Sequence, residues 1–446
     1  MEQHVVALLF GSFAILLLIG APITVSLAGA AMAAFLVLDK NPISFVQIAF
    51  TSVGSFPLMA LPAFVLAGAL MEAAGISKRL VDIAEAMAGP ITGGLGVATV
   101  LACLFFGAIS GSGPATTAAV GMLMIPAMTK RNYDLSYSSA ITASAGGLGI
   151  IIPPSIPMVI FGISALGMRP PAEAIALHGQ FPSVSISKLF IAGVIPGVVM
   201  ASSLLIMNYI ISRKKGYKGS DEGWDTKAIG TTLRRGIWSI LAPVIILGGI
   251  YAGFFTPTES AVVAIFYTLF VGVFIHREIT FKNMFSSLRT TTWITGRVLL
   301  ILFAATVFGR LLVEQRIPAI IAESLISWTD NMYLIWTILI IFLLFIGMFM
   351  ETLAAIMILV PVLLPVTYML GVDPTQVGIV VICALSVGFI TPPLGENLFV
   401  ASGIGGATVE QIVVKVLPFI SVLLVAIFAI AFFPSISLWL PGLLGY

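Results

Sequence analysis

Two stretches of this sequence concentrate oxygen-bearing groups in otherwise apolar surroundings. Residues 107–117 read Gly-Ala-Ile-Ser-Gly-Ser-Gly-Pro-Ala-Thr-Thr. Glycines and a proline interrupt a helix. Broken helix ends expose carbonyls, and Ser110, Ser112 and Thr116 add hydroxyls. Such oxygens suit a monovalent cation such as Na⁺, and amides at the N-terminus of a half-helix suit an anion. Close packing of small residues between helices is the plainer reading, but the position of the cluster at a hairpin tip favours a site. Residues 146–155 read Gly-Gly-Leu-Gly-Ile-Ile-Ile-Pro-Pro-Ser. A Pro-Pro pair inside an apolar run removes two backbone donors and leaves carbonyls in need of partners. Residues 388–397, Gly-Phe-Ile-Thr-Pro-Pro-Leu-Gly-Glu-Asn, repeat this and add Glu396 and Asn397. Residues 347–352, Gly-Met-Phe-Met-Glu-Thr, offer a second interruption. These spacings predict two cation sites, each between a hairpin tip and a Pro-Pro break.

Ionisable residues inside apolar runs are candidates for function. Glu351 and Glu396 stand beside the second predicted site. Arg310 either pairs with a carboxylate or faces an anionic substrate, so Arg310 and Glu396 are the substrate-adjacent candidates. Arg297, near a span's end, reads more simply as a snorkelling side chain. Glu259, in Thr-Pro-Thr-Glu-Ser, reads equally well as a first-turn carboxylate, and Glu72 as an interfacial one. Gly-x-x-x-x-Gly-Lys-[Ser/Thr] and His-Glu-x-x-His are absent. His4, His178 and His276 are far apart, so no base stands ready for the serines. No catalytic constellation emerges, and an intramembrane enzyme is disfavoured. Cys103 and Cys383 read as buried thiols, not as a disulfide or metal pair.

The elements that must position these residues are membrane spans. Of 446 residues, 59% are apolar and 9% charged, with a mean hydropathy of +1.13. Soluble domains carry about 25% charged residues, so lipid must solvate much of this chain. No charge run suggests nucleic acid. Spans of about 20 residues are predicted at 5–20, 22–38, 56–74, 140–165 and 189–211, then at 236–254, 257–275, 291–313, 376–400 and 411–432. The first is read as a retained span and not a cleaved signal, because no basic segment precedes it. Stretches 93–128 and 331–369 are predicted as re-entrant hairpins. With that assignment, Lys78–Arg79, Lys130–Arg131, Arg213–Lys218, Lys227, Arg234–Arg235, Arg277, Lys282 and Arg289 share one side, the cytoplasm by the positive-inside rule. Both termini then lie outside. Pro22 and Pro257, and Pro126 and Pro361, are each 235 residues apart, and the Pro-Pro pairs 239 apart. The prediction is an all-α polytopic protein of two inverted repeats, 1–211 and 236–446, joined by a cytoplasmic linker at 212–235. Residues 276–290 and 318–329 are read as interfacial amphipathic helices.

At these motifs the sequence resembles the large membrane subunit of the tripartite ATP-independent periplasmic (TRAP) transporters. The likeness rests on Ser110–Thr116, Gly149–Pro157, Thr256–Ser260, Gly347–Glu351 and Thr391–Phe399, in order along most of the chain. The resemblance implies an elevator fold with transport and scaffold domains. It implies a small four-helix membrane subunit and a periplasmic substrate-binding protein as partners. It implies sodium-driven uptake of an organic acid anion, a carboxylate or sulfonate, across a bacterial inner membrane, with Na⁺ as coupling ion and no other cofactor. By this likeness Ser110, Ser112, Thr116, Gly149 and Pro153 serve the first sodium site, and Gly347, Glu351, Thr391 and Asn397 the second. Glu396 departs from the apolar residue the family implies, which leaves a proton-sensitive second site open. A stand-alone elevator-type anion symporter without a binding protein is the alternative.

Overall fold

The computed structural model describes residues 2–54, 56–166, 168–219, 223–329 and 331–446. Residues 220–222, in the predicted linker, lie outside this set. All the regular secondary structure among the described residues is helical, with no strand. Seven helices are long and apolar enough to cross a membrane, and one bent pair makes an eighth candidate. This follows from composition: in lipid, a chain satisfies its backbone within helices.

The first half begins with α1 (Glu2–Leu18), α2 (Ile23–Val37), α3 (Pro42–Val53) and α4 (Ala60–Ala73). After α4 the chain bends by 67° into α5 (Ile76–Ala88). Then come α6 (Gly94–Ser110), α7 (Gly113–Lys130), α8 (Leu135–Gly146), α9 (Ile156–Ala165), α10 (Ala172–His178) and α11 (Ile186–Lys215). The second half runs through α12 (Thr226–Tyr251), α13 (Pro257–Phe270), α14 (Phe281–Glu314), α15 (Ile317–Trp328), α16 (Met332–Phe349), α17 (Thr352–Met369), α18 (Pro374–Gly388), α19 (Glu396–Gly405), α20 (Val409–Phe432) and α21 (Ser435–Leu443).

Several boundaries differ from the sequence expectation. Residues 281–290 do not form a separate interfacial helix; they open α14, a 34-residue helix. Nothing between Thr280, which caps the helix, and Gln315 breaks it. Thr291, Thr292 and Thr306 turn their hydroxyls back onto the helix, as in Thr291 Oγ1 to the Ser287 carbonyl at 2.8 Å. Pro126 and Pro361 sit inside α7 and α17, which run on to Lys130 and Met369. The linker is shorter than 212–235, because α11 runs to Lys215 and stops at left-handed Gly216.

The loops gather at two opposite ends. At one end Tyr217 ties the first hairpin, α6 and α7, at both of its feet. The Gly93 amide donates to the Tyr217 carbonyl at 2.9 Å, and the Asp134 amide to its hydroxyl at 3.1 Å. Arg79 pairs with Glu278 there at 2.8 Å. This is the basic end. At the other end Lys188 lies 3.7 Å from Asp373, Lys40 pairs with Glu314, and His178 hydrogen-bonds the Met369 carbonyl. The second hairpin, α16 and α17, has both feet here: Tyr333 packs on Phe432, and Met369 meets His178. The hairpins therefore enter from opposite ends.

Both hairpins meet a broken helix through paired glycines. A Cβ at Gly107 would lie 2.8 Å from the Gly149 Cα, and one at Gly388 would lie 2.6 Å from the Gly347 Cα. The breaks that follow, 151–155 and 389–395, carry the Pro-Pro pairs. Each hairpin's second arm also packs across the halves: α7 on α19, and α17 on α9. Gly388→Ala, which forces a methyl into backbone, is expected to destabilise the protein by about 1–3 kcal/mol, read as a lowered Tm in detergent. Gly403→Ala, where the added Cβ meets nothing, is expected to leave Tm unchanged.

Candidate functional site

At the tip of the first hairpin the chain turns through Gly111, whose φ of +59° favours glycine, and Ser112 caps α7. Ser110 Oγ and Thr116 Oγ1 lie 2.8 Å apart, and Thr116 Oγ1 donates to the Ser112 carbonyl at 2.7 Å. Gly149 presses onto this group: a Cβ there would sit 2.6 Å from the Ser112 carbonyl oxygen. Pro153 belongs to the adjoining break, and the carbonyl of the next residue, Pro154, approaches Gly111. The five residues assigned by sequence to the first site are thus contiguous in space.

Asn397 joins this same cluster, although the sequence grouped it with the second hairpin. Its Nδ2 donates to the Ala143 carbonyl at 3.0 Å. Its Oδ1 is buried without a partner and points toward Gly113 at the first tip. The sequence could not show this, because the contact crosses 254 residues.

The second tip is built differently. Gly347 packs on Gly388, and Thr391 Oγ1 donates to the Val387 carbonyl at 2.7 Å. Phe349 and Ala355 stand where the first hairpin has Ser110 and Thr116, so hydroxyls are fewer. Glu351, at the N-cap of α17, accepts a hydrogen bond from Arg297 Nη2 at 2.7 Å. Thr352 Oγ1 is buried and unpartnered.

Between the two tips lies a cavity of about 260 Å³. Residues from both tips, from either side of the first Pro-Pro break (Ile150, Ile156), from the second break (Phe389), and from α4 and α14 line it. Four half-helix N-termini converge there: Gly113 of α7, Ile156 of α9, Thr352 of α17 and Glu396 of α19. Each N-terminus carries a partial positive charge of about half a unit. The charged side chains lining it are Glu72, Arg297, Glu351 and Glu396. Arg310 is not among them. It lies thirteen residues along α14 from Arg297, about 20 Å at 1.5 Å per residue, and pairs with Glu314 at 3.2 Å. The missed residue is Arg297. Its sequence signal was position alone, near the start of the predicted span 291–313, which suits a snorkelling side chain; in the structure it stands more than four turns inside α14. The cavity adjoins the half of α14 and the end of α4 nearest the basic loops. No trio of His, Cys, Asp or Glu among the described residues is arranged to hold a metal ion.

Paired hairpins, paired helix breaks and a central charged cavity define a membrane transporter of the broken-helix kind. The family model described as "Tripartite ATP-independent periplasmic transporter, DctM component" matches residues 10–436, and the chain belongs to this family of transporter permeases, which are not enzymes. The isethionate TRAP transporter permease protein DctMQ of Oleidesulfovibrio alaskensis is 41% identical over 97% of this chain, which spans 66% of that protein. The C4-dicarboxylate TRAP transporter large permease protein DctM of Rhodobacter capsulatus is 35% identical over 98% of this chain and 99% of its own length. The sialic acid large permease protein SiaM of Vibrio cholerae is 34% identical over 97% of each. Among solved structures, the YdaH transporter of Alcanivorax borkumensis superposes with a TM-score of 0.63 at 14% identity, covering 90% of this chain and 89% of that one; it shares the fold. The chain is a multi-pass membrane protein.

Cys103 and Cys383 are both fully buried, so the native thiols are shielded from reagents. Ala115, exposed on the cavity wall, offers a reporter position. Ala115→Cys is expected to react with a membrane-impermeant maleimide applied from the side of the basic loops and to stay silent when it is applied from the other side. Mass spectrometry of labelled vesicles of both orientations checks this.

Proposed function

We propose that this protein carries a small organic acid anion, a carboxylate or sulfonate, into the cell as the large subunit of a TRAP transporter, driven by co-transported Na⁺. One observation carries the reading: four helix N-termini and Arg297 converge on a single small cavity. Helix N-termini bind anions through unpaired amides and the helix dipole, and a guanidinium forks onto carboxylate or sulfonate. The cavity suits a ligand of few atoms. The relatives' names point to the same class: isethionate, C4-dicarboxylates and sialic acid are all organic acids.

Charge supports cation coupling. Three carboxylates face one guanidinium in the cavity, so an entering anion needs accompanying cations. The first-tip cluster, with the orphan Oδ1 of Asn397, is the better-built Na⁺ site. The second combines Glu351, Thr352 and the broken end of α16. Na⁺ is cargo here, and no cofactor is required.

The basic end faces the cytoplasm by the positive-inside rule, with both termini at the other, periplasmic face of the inner membrane. The two halves are then inverted repeats, each with a re-entrant hairpin, and the cavity is open toward the cytoplasm. The hairpins with α8, α9, α18 and α19 form a transport domain. It moves against a scaffold containing α2, α3, α4 and α14, in the manner of an elevator. A small four-helix membrane subunit and a periplasmic substrate-binding protein complete the system.

Reconstitution in proteoliposomes with the small subunit and binding protein, assayed with a panel of organic acids, tests this reading. Arg297→Gln is expected to cut uptake by at least about tenfold, the loss of one charge-assisted contact, whereas Arg310→Gln is expected to stay within about twofold of the parent. Equal loss in both variants would count against the central cavity as the anion site. Thr116→Val and Asn397→Leu are each expected to raise the Na⁺ concentration for half-maximal uptake by about tenfold, through one lost oxygen ligand. Sodium dependence that is unchanged in both would remove the first-tip cluster from the coupling mechanism.

A further inference from the structure

The cavity contains one ion pair, and its members come from different helices. Arg297 stands on α14, which packs on α2, α3 and α4 and equally on α17, the arm that follows Glu351. Glu351 stands at the tip of the second hairpin. The Nη2–Oε2 distance is 2.7 Å.

Glu351 turns away from its own helix. It holds the N-cap position of α17 with extended backbone, φ −60° and ψ 141°, and its side chain makes no capping bond. The short side chains of Ser, Thr, Asp and Asn ordinarily cap there; the longer glutamate reaches Arg297 instead. The corresponding residue of the first hairpin, Ser112, does turn back, accepting from the Ala115 amide at 3.5 Å. Next to Glu351, Thr352 is 2% exposed and its Oγ1 has no partner. A buried hydroxyl left unpaired is costly, so this oxygen marks an unfilled place. Thr352 and Glu351 line the same cavity.

We propose that the Arg297–Glu351 pair is a latch that withholds Glu351 from a monovalent-cation site it shares with Thr352 Oγ1, and that an organic anion arriving at Arg297 opens it. The inference rests on the cavity being the organic-anion site. In the empty cavity the Glu351 carboxylate stands in for the carboxylate or sulfonate of the substrate. When the substrate takes the guanidinium, Glu351 loses its counter-charge in a half-buried setting. A bare carboxylate there is unfavourable, and Na⁺ bound by Glu351 and Thr352 Oγ1 restores the balance. Anion binding thus creates the second cation site, and the cation in turn holds Glu351 away from Arg297. The coupling is reciprocal, as linkage requires.

The test needs no knowledge of the natural substrate. Binding of radiolabelled Na⁺ to the purified full-length protein is measured without any organic anion. Arg297→Gln and Arg297→Met, which open the latch permanently, are expected to lower the half-saturating Na⁺ concentration by about tenfold, while Arg297→Lys, which keeps the charge, stays near the parent. Adding Glu351→Gln or Thr352→Val to Arg297→Gln is expected to abolish the gain, and adding Glu396→Gln to preserve most of it. Two results would overturn the latch: no gain in either Arg297 variant, or an equal reversal by Glu351→Gln and Glu396→Gln, which would mean that only the long-range field had changed. Thermal melts confirm that each variant is folded. Uptake assays judge the anion site separately, so failure of the latch is distinguishable from failure of that reading.

Discussion

Everything in this structure follows from breaking helices where water cannot repair them. A helix interrupted in apolar surroundings leaves amides and carbonyls that must find partners inside the protein. Here the two sets of interruptions supply one another. Ser386, on the helix entering the second break, donates to the Gly147 carbonyl at the first, at 2.8 Å. Asn397, just beyond the second break, donates to the Ala143 carbonyl. The glycine pairs 107/149 and 347/388 let backbone approach backbone closely enough for this. Two of the buried groups that remain unpaired, Asn397 Oδ1 and Thr352 Oγ1, lie beside the hairpin tips.

The same breaks shape the electrostatics. A continuous helix buries its dipole ends at the membrane faces; a broken one brings new ends to the centre. Four positive ends meet at the cavity, and carboxylates from α4 and the two second-half breaks face them. The carboxylates offset the positive ends, so the cavity carries no large excess of positive charge. The two hairpins have diverged in how they do this. The first offers hydroxyls and a carboxamide, neutral oxygens suited to a cation. The second offers Glu351, whose charge is already committed to Arg297. Two halves with one architecture therefore carry different chemistry.

Much of this was legible in the sequence. Low charge and high hydropathy required lipid as solvent. The Gly, Ser and Pro clusters located both hairpin turns and both helix breaks, because few residues besides glycine and proline interrupt a helix at such depth. The spacing of paired prolines announced two similar halves, and the basic loops fall at one end of the molecule. Local features with no competing tertiary influence, such as the Thr256–Glu259 capping box that opens α13, could also be read directly.

What the sequence alone could not decide was which interruption faces which. Asn397 reaches Ala143 of α8 across 254 residues, and Arg297, not Arg310, reaches the cavity, although both lie on α14. Pairing across an inverted architecture depends on how α7 meets α19 and how α17 meets α9 and α14, and linear spacing carries no record of that. Sequence determines where a helix must break, because the break is a property of the local backbone. Only the tertiary structure decides which charges and oxygens gather at the break, because that depends on packing between segments hundreds of residues apart.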